Sequence, residues 1–448
     1  MNSFKKSELL TIGFMMFSIF FGAGNLIFPP ALGQAAGTST PLAMLGFLTT
    51  GVGLPLLGIT AIALQGGRYL ELINSRMYPW FATALLVVLY LCIGPVFAVP
   101  RTGAVSFEIG IRPFLQEDSL KIGQAVYTAL FFGASYYLSL NPNKLIDRVG
   151  KMLTPVLLVV LAVLFAKAFL SPLGTILPPT GNYIDAPFTQ GFQDGYQTMD
   201  LLAGLYFGIV ISANISSMGV EDEHDNRAET GIGGSFTGIM LAIIYATLGF
   251  VGAVSGSYQA IDGATDTGAT VLTNLTDRLF GHVGTMFVGL IFIVACFNVC
   301  SGLLSTCSSY FHKQFGTVLG YRGWTIVFTL IALVIANIGL SAIIKLSVPV
   351  LEALYPIAIV LVLLSLLHGV FTRHFPAVYF WTVLFTAIDS VANGIANLVA
   401  AFGGRLVWLE TACNWLPLNS VALGWVVPAL AGFVVGIIVS IAERMHTH

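Results

Sequence analysis

The sequence predicts an all-α integral membrane protein of twelve transmembrane helices, arranged as two inverted five-helix repeats plus two extra helices, with the first and sixth helices broken. Three observations predict it. The 448 residues are 56% hydrophobic and only 9% charged, with a mean hydropathy of +0.88, a balance that suits lipid rather than water. Apolar runs near the length of a bilayer crossing, roughly 20 residues, recur along the whole chain. Two of those runs are interrupted by polar or glycine-rich residues at corresponding places, 175 residues apart.

The runs lie near residues 8–33, 40–64, 78–101, 121–140, 150–170, 191–214, 231–254, 282–311, 324–340, 346–368, 375–400 and 420–442. The first follows Lys5 and Lys6, as a signal peptide would, but it continues through Pro29-Pro30 without a cleavage pattern and reads as a retained helix. Five runs (8–170) precede a Pro/Gly-rich loop, Ser171 to Gly181, and five follow it (190–368). An odd number of spans per repeat inverts the second copy, and inverted repeats put a broken helix at the start of each half. The runs at 375–442 fall outside the repeat. The whole chain reads as a single transmembrane domain.

The first interruption is Gly22-Ala23-Gly24-Asn25, inside FMMFSIFFGAGNLIFPP. In hydrocarbon, unwound backbone survives only where it is buried in protein or lines a polar cavity, so the break marks a binding site. Its glycines open amides and carbonyls to a ligand, and Asn25 adds an amide. A Gly-rich helix-packing face is the plainer reading. The second interruption is in the sixth run, where Asp200 precedes Leu201-Leu202-Ala203-Gly204. A carboxylate at membrane depth is costly and normally functional. The expectation is that Leu201 to Gly204 is non-helical and faces Gly22 to Asn25, with Leu202 and Ala203 offering carbonyls to an ammonium or an ion. A capping role for Asp200 is the structural alternative.

Orientation follows from the basic residues. With both termini cytoplasmic, twelve of the nineteen Lys and Arg (Lys5, Lys6, Arg68, Arg76, Lys144, Arg148, Lys151, Arg227, Lys313, Arg322, Arg373, Arg444) fall inside, as the positive-inside rule asks. The acidic run Glu221 to Asp225 lacks the alternating pattern of a calcium loop and reads as a solvated turn. Arg101 and Glu108 bracket the expected outer end of the third span and suggest either an extracellular gate or an interfacial ion pair of little energy. Lys167, Lys345 and Glu352 near span ends are read as snorkelling. Asp389 reads as a packing or dimer-interface group.

Other classes lack their signatures. The five cysteines read as small packing residues. No third ligand accompanies Cys296 and Cys300 to complete a metal site, and no basic tract points to nucleic acid. There is no G-x-x-x-x-G-K-[ST], no H-E-x-x-H and no G-x-S-x-G, which argues against a nucleotide-driven pump and against an enzyme. A channel is the competing reading, since broken helices also build filters.

The first span resembles the signature of the BrnQ-type branched-chain amino acid:cation symporters, a bacterial family carrying leucine, isoleucine and valine. Further stretches that resemble it are IGPVFAVPRTGAVSFEIG (Ile93 to Gly110), LIDRVGKMLTPVLL (Leu145 to Leu158), GYQTMDLLAGLYFGIVI (Gly195 to Ile211) and SVPVLEALYPIAIVL (Ser347 to Leu361). The resemblance implies a LeuT-type architecture and a secondary active symporter in the bacterial cytoplasmic membrane, needing no cofactor beyond a coupling ion, sodium before proton. In that architecture the second sodium site uses carbonyls of the first span, here Ser18 and Phe21, against a small residue and a Thr/Ser pair in the eighth. This chain has Ala295, Asn298 and Val299 there. Val299 cannot ligate, so one oxygen of a hard cation's shell is lost unless water or Ser301 replaces it. The other reading is that Asn298, Ser301 and Ser305 only bond across helices or back to carbonyls. The substrate expected is a small aliphatic zwitterion, its carboxylate at a half-helix N-terminus and its ammonium on free carbonyls.

Overall fold

The computed structural model describes residues 12–14, 16–18, 20–65, 69–140, 142–171, 174–205, 223–260, 266–369 and 371–446, with backbone alone at 69–70, 142–154, 223–230, 373, 420 and 446. The described residues are helical with no strand. In chain order the helices are α1 (Ala23–Ala36), α2 (Thr40–Leu48), α3 (Leu54–Leu64), α4 (Tyr69–Arg76), α5 (Pro79–Leu91) and α6 (Ala98–Gly110). Next come α7 (Leu120–Ser139), α8 (Pro142–Leu170), α9 (Pro187–Tyr196), α10 (Glu223–Ser255), α11 (Gly268–Phe315) and α12 (Tyr321–Ala336). The last are α13 (Leu340–Leu366), α14 (Ala377–Ala401), α15 (Val407–Asn414) and α16 (Val426–His446). Seven stretches among the described residues are long and apolar enough to cross a membrane, including 23–64, 79–114 and 268–315.

Several expected runs coincide with described helices, among them 121–140 with α7 and 375–400 with α14; the third differs. The third span was expected to stop at Arg101, because a charge usually marks the water. Instead α5 passes through a π-turn at Cys92–Val96, where Gly94 leaves helical geometry, and α6 continues to Gly110. Arg101 is thereby carried inside and is only 3% exposed. Glu108 pairs with Arg112 at 2.6 Å, so the expected Arg101–Glu108 gate is not formed. The long α11 is two helices joined at Gly281, whose φ of 67° is the left-handed region that glycine adopts at no steric cost. The part beyond Gly281 is the expected eighth span. Of the acidic run, Glu221 and Asp222 lie outside the described residues, as does the sixth span beyond Leu205.

Two seams set the positions of the broken spans. The backbone of α1 lies directly on α10: a Cβ on Gly33 would stand 1.8 Å from the Gly249 carbonyl oxygen. The backbone of α9 lies as closely on α2, where a Cβ on Gly191 would stand 1.9 Å from the Ala43 carbonyl oxygen. Side chains of the smallest size let helices approach like this in lipid, where dispersion and close contact replace the hydrophobic effect as the force between helices. At the other side of the fold, α14 packs between α13 and α16. Of these, α14 and α16 are the helices outside the expected repeat.

Candidate functional site

The described residues 12–14, 16–18 and 20 of the first span are helical, the chain leaves the helix at Phe21 and Gly22, and helix resumes as α1 at Ala23. The break is therefore two residues, shorter than the four expected. Ala23, Gly24 and Asn25 form the first turn of a new helix, so they present its positive end to the cavity rather than a loose loop. Asn25 explains the break chemically. Its Oδ1 accepts the Gly22 N–H at 3.0 Å, which replaces the intrahelical bond that unwinding removes.

The sixth span breaks earlier than expected. α9 ends in a tight turn in which Gln197, Thr198 and Met199 donate to the carbonyls three residues back, and Met199 has a φ of 61°, a costly conformation for a residue with a long side chain. Helix resumes at Asp200, whose N–H is capped by Thr198 Oγ1 at 3.3 Å. Leu201 to Gly204, expected to be unwound, are helical: Ala203 N–H reaches the Met199 carbonyl at 2.8 Å. The non-helical residues are instead Gln197 to Met199, whose Gln197 carbonyl accepts from Arg101 and whose Met199 carbonyl accepts from Ala203. Ala203 still lines the cavity, whereas Leu202 and Gly204 do not. Gly204 instead sits over the Pro55 carbonyl and Phe20.

The two breaks meet. Their shared cavity is lined by Gly22, Ala23, Gly24, Asn25, Arg101, Thr102, Thr198, Met199, Asp200, Ala203 and Val299, with Phe20, Ile93, Ala98 and Leu303 completing it, and leaves about 30 Å³ for the centre of a water to move. Asp200, 2% exposed, is its acid. Asp200 Oδ2 accepts from Asn25 Nδ2 at 2.7 Å and from the Tyr245 hydroxyl at 2.8 Å, and Asn25 Nδ2 also donates to Tyr245. One carboxylate oxygen thus ties α1, the sixth span and α10 together. Burying an ionised carboxylate costs several kcal/mol. Two charge-assisted hydrogen bonds return roughly 1.5–3 kcal/mol each, and the positive charge of Arg101 in the same cavity adds to them. Arg101 itself donates Nη1 to the Gln197 carbonyl at 2.7 Å and lies over the Phe28 ring at 5.2 Å.

Of the residues singled out from the sequence, Gly22, Gly24 and Asp200 line this cavity and Gly204 does not; Tyr245 and the burial of Arg101 were missed. Tyr245 has no local signal, since a tyrosine in LAIIYATLGF looks like any span aromatic. For Arg101 the signal was Gly94-Pro95, a helix distortion that lets a span continue past its apparent end.

The residues expected at a cation position are distributed as follows. Asn298, 7% exposed, brings its Nδ2 to 3.4 Å from Ser18 Oγ, and Val299 stands where a Cβ on Gly22 would meet it at 3.4 Å. Ala295 is buried on the same helix. Ser301 is engaged elsewhere: its hydroxyl donates to the Phe297 carbonyl and its own carbonyl accepts from the Ser139 hydroxyl of α7. Among the described residues no group of three His, Cys, Asp or Glu could hold a metal.

A profile of the Branched-chain amino acid transport protein family matches residues 5–443. The chain belongs to that family. It is a transporter, not an enzyme. Among branched-chain amino acid transport proteins, it is 41% identical over 437 residues to the permease BrnQ of Bacillus subtilis, covering 97% of each chain. It is 39% identical over 441 residues to the branched-chain amino acid transport system 2 carrier protein of Pseudomonas aeruginosa, covering 98% of this chain and 97% of that one. Solved structures with the same fold include a manganese transporter of Eremococcus coleocola (TM-score 0.62, 14% identity, 97% and 96% coverage) and inward-facing Mhp1 (TM-score 0.58, 13% identity, 97% and 91% coverage). These are LeuT-type transporters, so the all-helical, LeuT-type fold expected from the sequence is found.

Proposed function

We propose that the protein is a secondary active symporter that imports leucine, isoleucine and valine across the bacterial cytoplasmic membrane by alternating access, with both termini in the cytoplasm. The observation that carries this reading is the meeting of two helix interruptions at one buried cavity that holds both Asp200 and the positive end of α1. A zwitterion needs both. The names of the relatives support branched-chain amino acids as the substrate class, and the apolar wall of Phe20, Ile93, Val299 and Leu303 suits an aliphatic side chain. The facing breaks also support halves 8–170 and 190–368 related by inversion, with 375–442 added.

The coupling ion in this reading is sodium rather than a proton. Support comes from the approach of Asn298 to Ser18 and of Val299 to Gly22. A half-turn of the Asn298 amide presents its oxygen in place of its nitrogen, and the Ser18 hydroxyl stands where it can replace the oxygen that Val299 lacks. Carbonyls of Ser18 and Phe21 complete a sparse oxygen shell, which predicts weak sodium binding.

Uptake of labelled leucine into proteoliposomes under an imposed sodium gradient or proton gradient, each alone, tests both parts. Accumulation driven by sodium alone, with saturable counterflow, is the expected result. Full accumulation on a proton gradient alone overturns the sodium assignment, and unsaturable flux without counterflow overturns the carrier reading in favour of a channel.

A further inference from the structure

The site contains one charge that the transport reading does not use. Arg101 is 3% exposed on a helix that the membrane would have to accept with a guanidinium inside it, a placement that is expensive and retained for function. A guanidinium has five donors in a rigid fork. Here Nη1 serves the Gln197 carbonyl, Nε has no hydrogen-bond partner among the described residues, and Nη2 lies beside Gly24, where an added Cβ would stand 2.8 Å from it.

Asp200 and Arg101 line one cavity without touching: among the described residues no ion pair within 4.0 Å joins them. Oδ2 of Asp200 is already held by Asn25 and Tyr245, whereas the guanidinium keeps idle donors. A carboxylate at the start of α1 would meet the helix's positive end, equivalent to roughly half an elementary charge, and beside Gly24 it would meet a whole one.

We propose that Arg101 anchors the carboxylate of the transported amino acid at Gly24 while Asp200 takes its ammonium, so that the site is matched to a zwitterion and discriminates against an amine that lacks the carboxylate. This rests on the transport reading above. The separated pair keeps the site neutral before substrate arrives, and a zwitterion fills it with opposite charges facing each of its own. The planar fork supplies two parallel bonds to a carboxylate, which a lysine cannot.

The test is equilibrium competition against labelled leucine on the full-length protein in nanodiscs, with unlabelled leucine and leucinol, which keeps the ammonium and side chain but has no carboxylate. Wild type is expected to prefer leucine by at least about 10-fold, the contribution of a charged hydrogen bond. Arg101→Gln is expected to weaken leucine about 10- to 100-fold while leucinol changes less than about 3-fold. Arg101→Lys should restore part of the preference, because it returns the charge without the fork. Equal weakening of leucine and leucinol in Arg101→Gln overturns the anchor, leaving Arg101 as a support for the Gln197 carbonyl. Should Arg101→Gln fail to fold, wild-type binding of leucinol within about 3-fold of leucine also overturns it, as does an Arg101→Lys variant with unchanged preference. A wild type that binds no leucine overturns the transport reading and the anchor with it.

Discussion

The two helix breaks do one job by different chemistry. The first is made by a small residue and a local side chain: Gly22 allows the turn, and Asn25 Oδ1 satisfies the amide that unwinding exposes. The second contains no glycine at the turn itself. It is forced through Met199 at a φ of 61° and held by a local cap, Thr198 Oγ1 on the Asp200 N–H, together with a partner from elsewhere in the chain, Arg101 on the Gln197 carbonyl. A break that is permitted locally is cheap and self-contained. One that is imposed depends on distant residues, and strain of that kind persists only where the surroundings over-determine it.

This contrast can be broken most severely at the group the two breaks share. Asp200→Asn removes the negative charge that faces α1 and the substrate ammonium, and leucine uptake in proteoliposomes should fall at least about 100-fold, as expected for the loss of one partner of a buried charge arrangement. Uptake within a few-fold of wild type would separate Asp200 from substrate handling and return it to a capping role.

Gly24→Val attacks the permissive break. Its first added carbon would lie 2.8 Å from Arg101 Nη2 and 3.3 Å from the Gln197 carbonyl oxygen, so the branch presses the first break into the second. Uptake should drop by about 30-fold or more while expression and thermal stability stay near wild type, because the neighbouring guanidinium can shift but the substrate carboxylate then loses its place. Near-normal transport would remove the claim that backbone at Gly24 contacts substrate.

Tyr245→Phe sharpens the comparison, since Tyr245 touches both Asn25 and Asp200 from a third helix. Loss of its hydroxyl removes one hydrogen bond to each, and uptake should fall about 5- to 20-fold, with the melting temperature lowered by a few degrees. An unchanged rate would mean that Asn25 alone holds the acid.

The smallest effect is expected beside the first break. Val299→Thr restores a hydroxyl at nearly the same volume next to Gly22, and the sodium concentration giving half-maximal uptake should decrease about 3- to 10-fold, one charged hydrogen bond in worth. Sodium dependence unchanged by this variant would dissociate position 299 from the cation.

The same contrast explains what could be read from the chain alone. The spans were legible because lipid demands about 20 apolar residues for each crossing, and the first break was legible because two glycines advertise it. The second was misplaced by four residues at its start: Ala203-Gly204 looks permissive, but those residues are helical, while Gln197-Thr198-Met199, which does unwind, looks ordinary. Its cause lies about 100 residues away in Arg101, and no local pattern reports a tertiary hydrogen bond. From the sequence Arg101 reads as a gate or interfacial ion-pair residue at a span end for a related reason. Hydropathy treats an arginine as an end to burial, and only the fold reveals that a cavity is there to receive it.

The glycine seams have a mechanical consequence. Where backbone rests on backbone, as at Gly33 on Gly249 and Gly191 on Ala43, no layer of side chains remains that could change rotamer and let one helix slide over the other. Each broken span is thereby geared to an unbroken neighbour, α1 to α10 and α9 to α2. When the cavity widens to admit a solute, the pieces that travel are pairs of helices, and the slack must be taken up at Phe21-Gly22 and Gln197 to Met199, the two places where the rods are already cut.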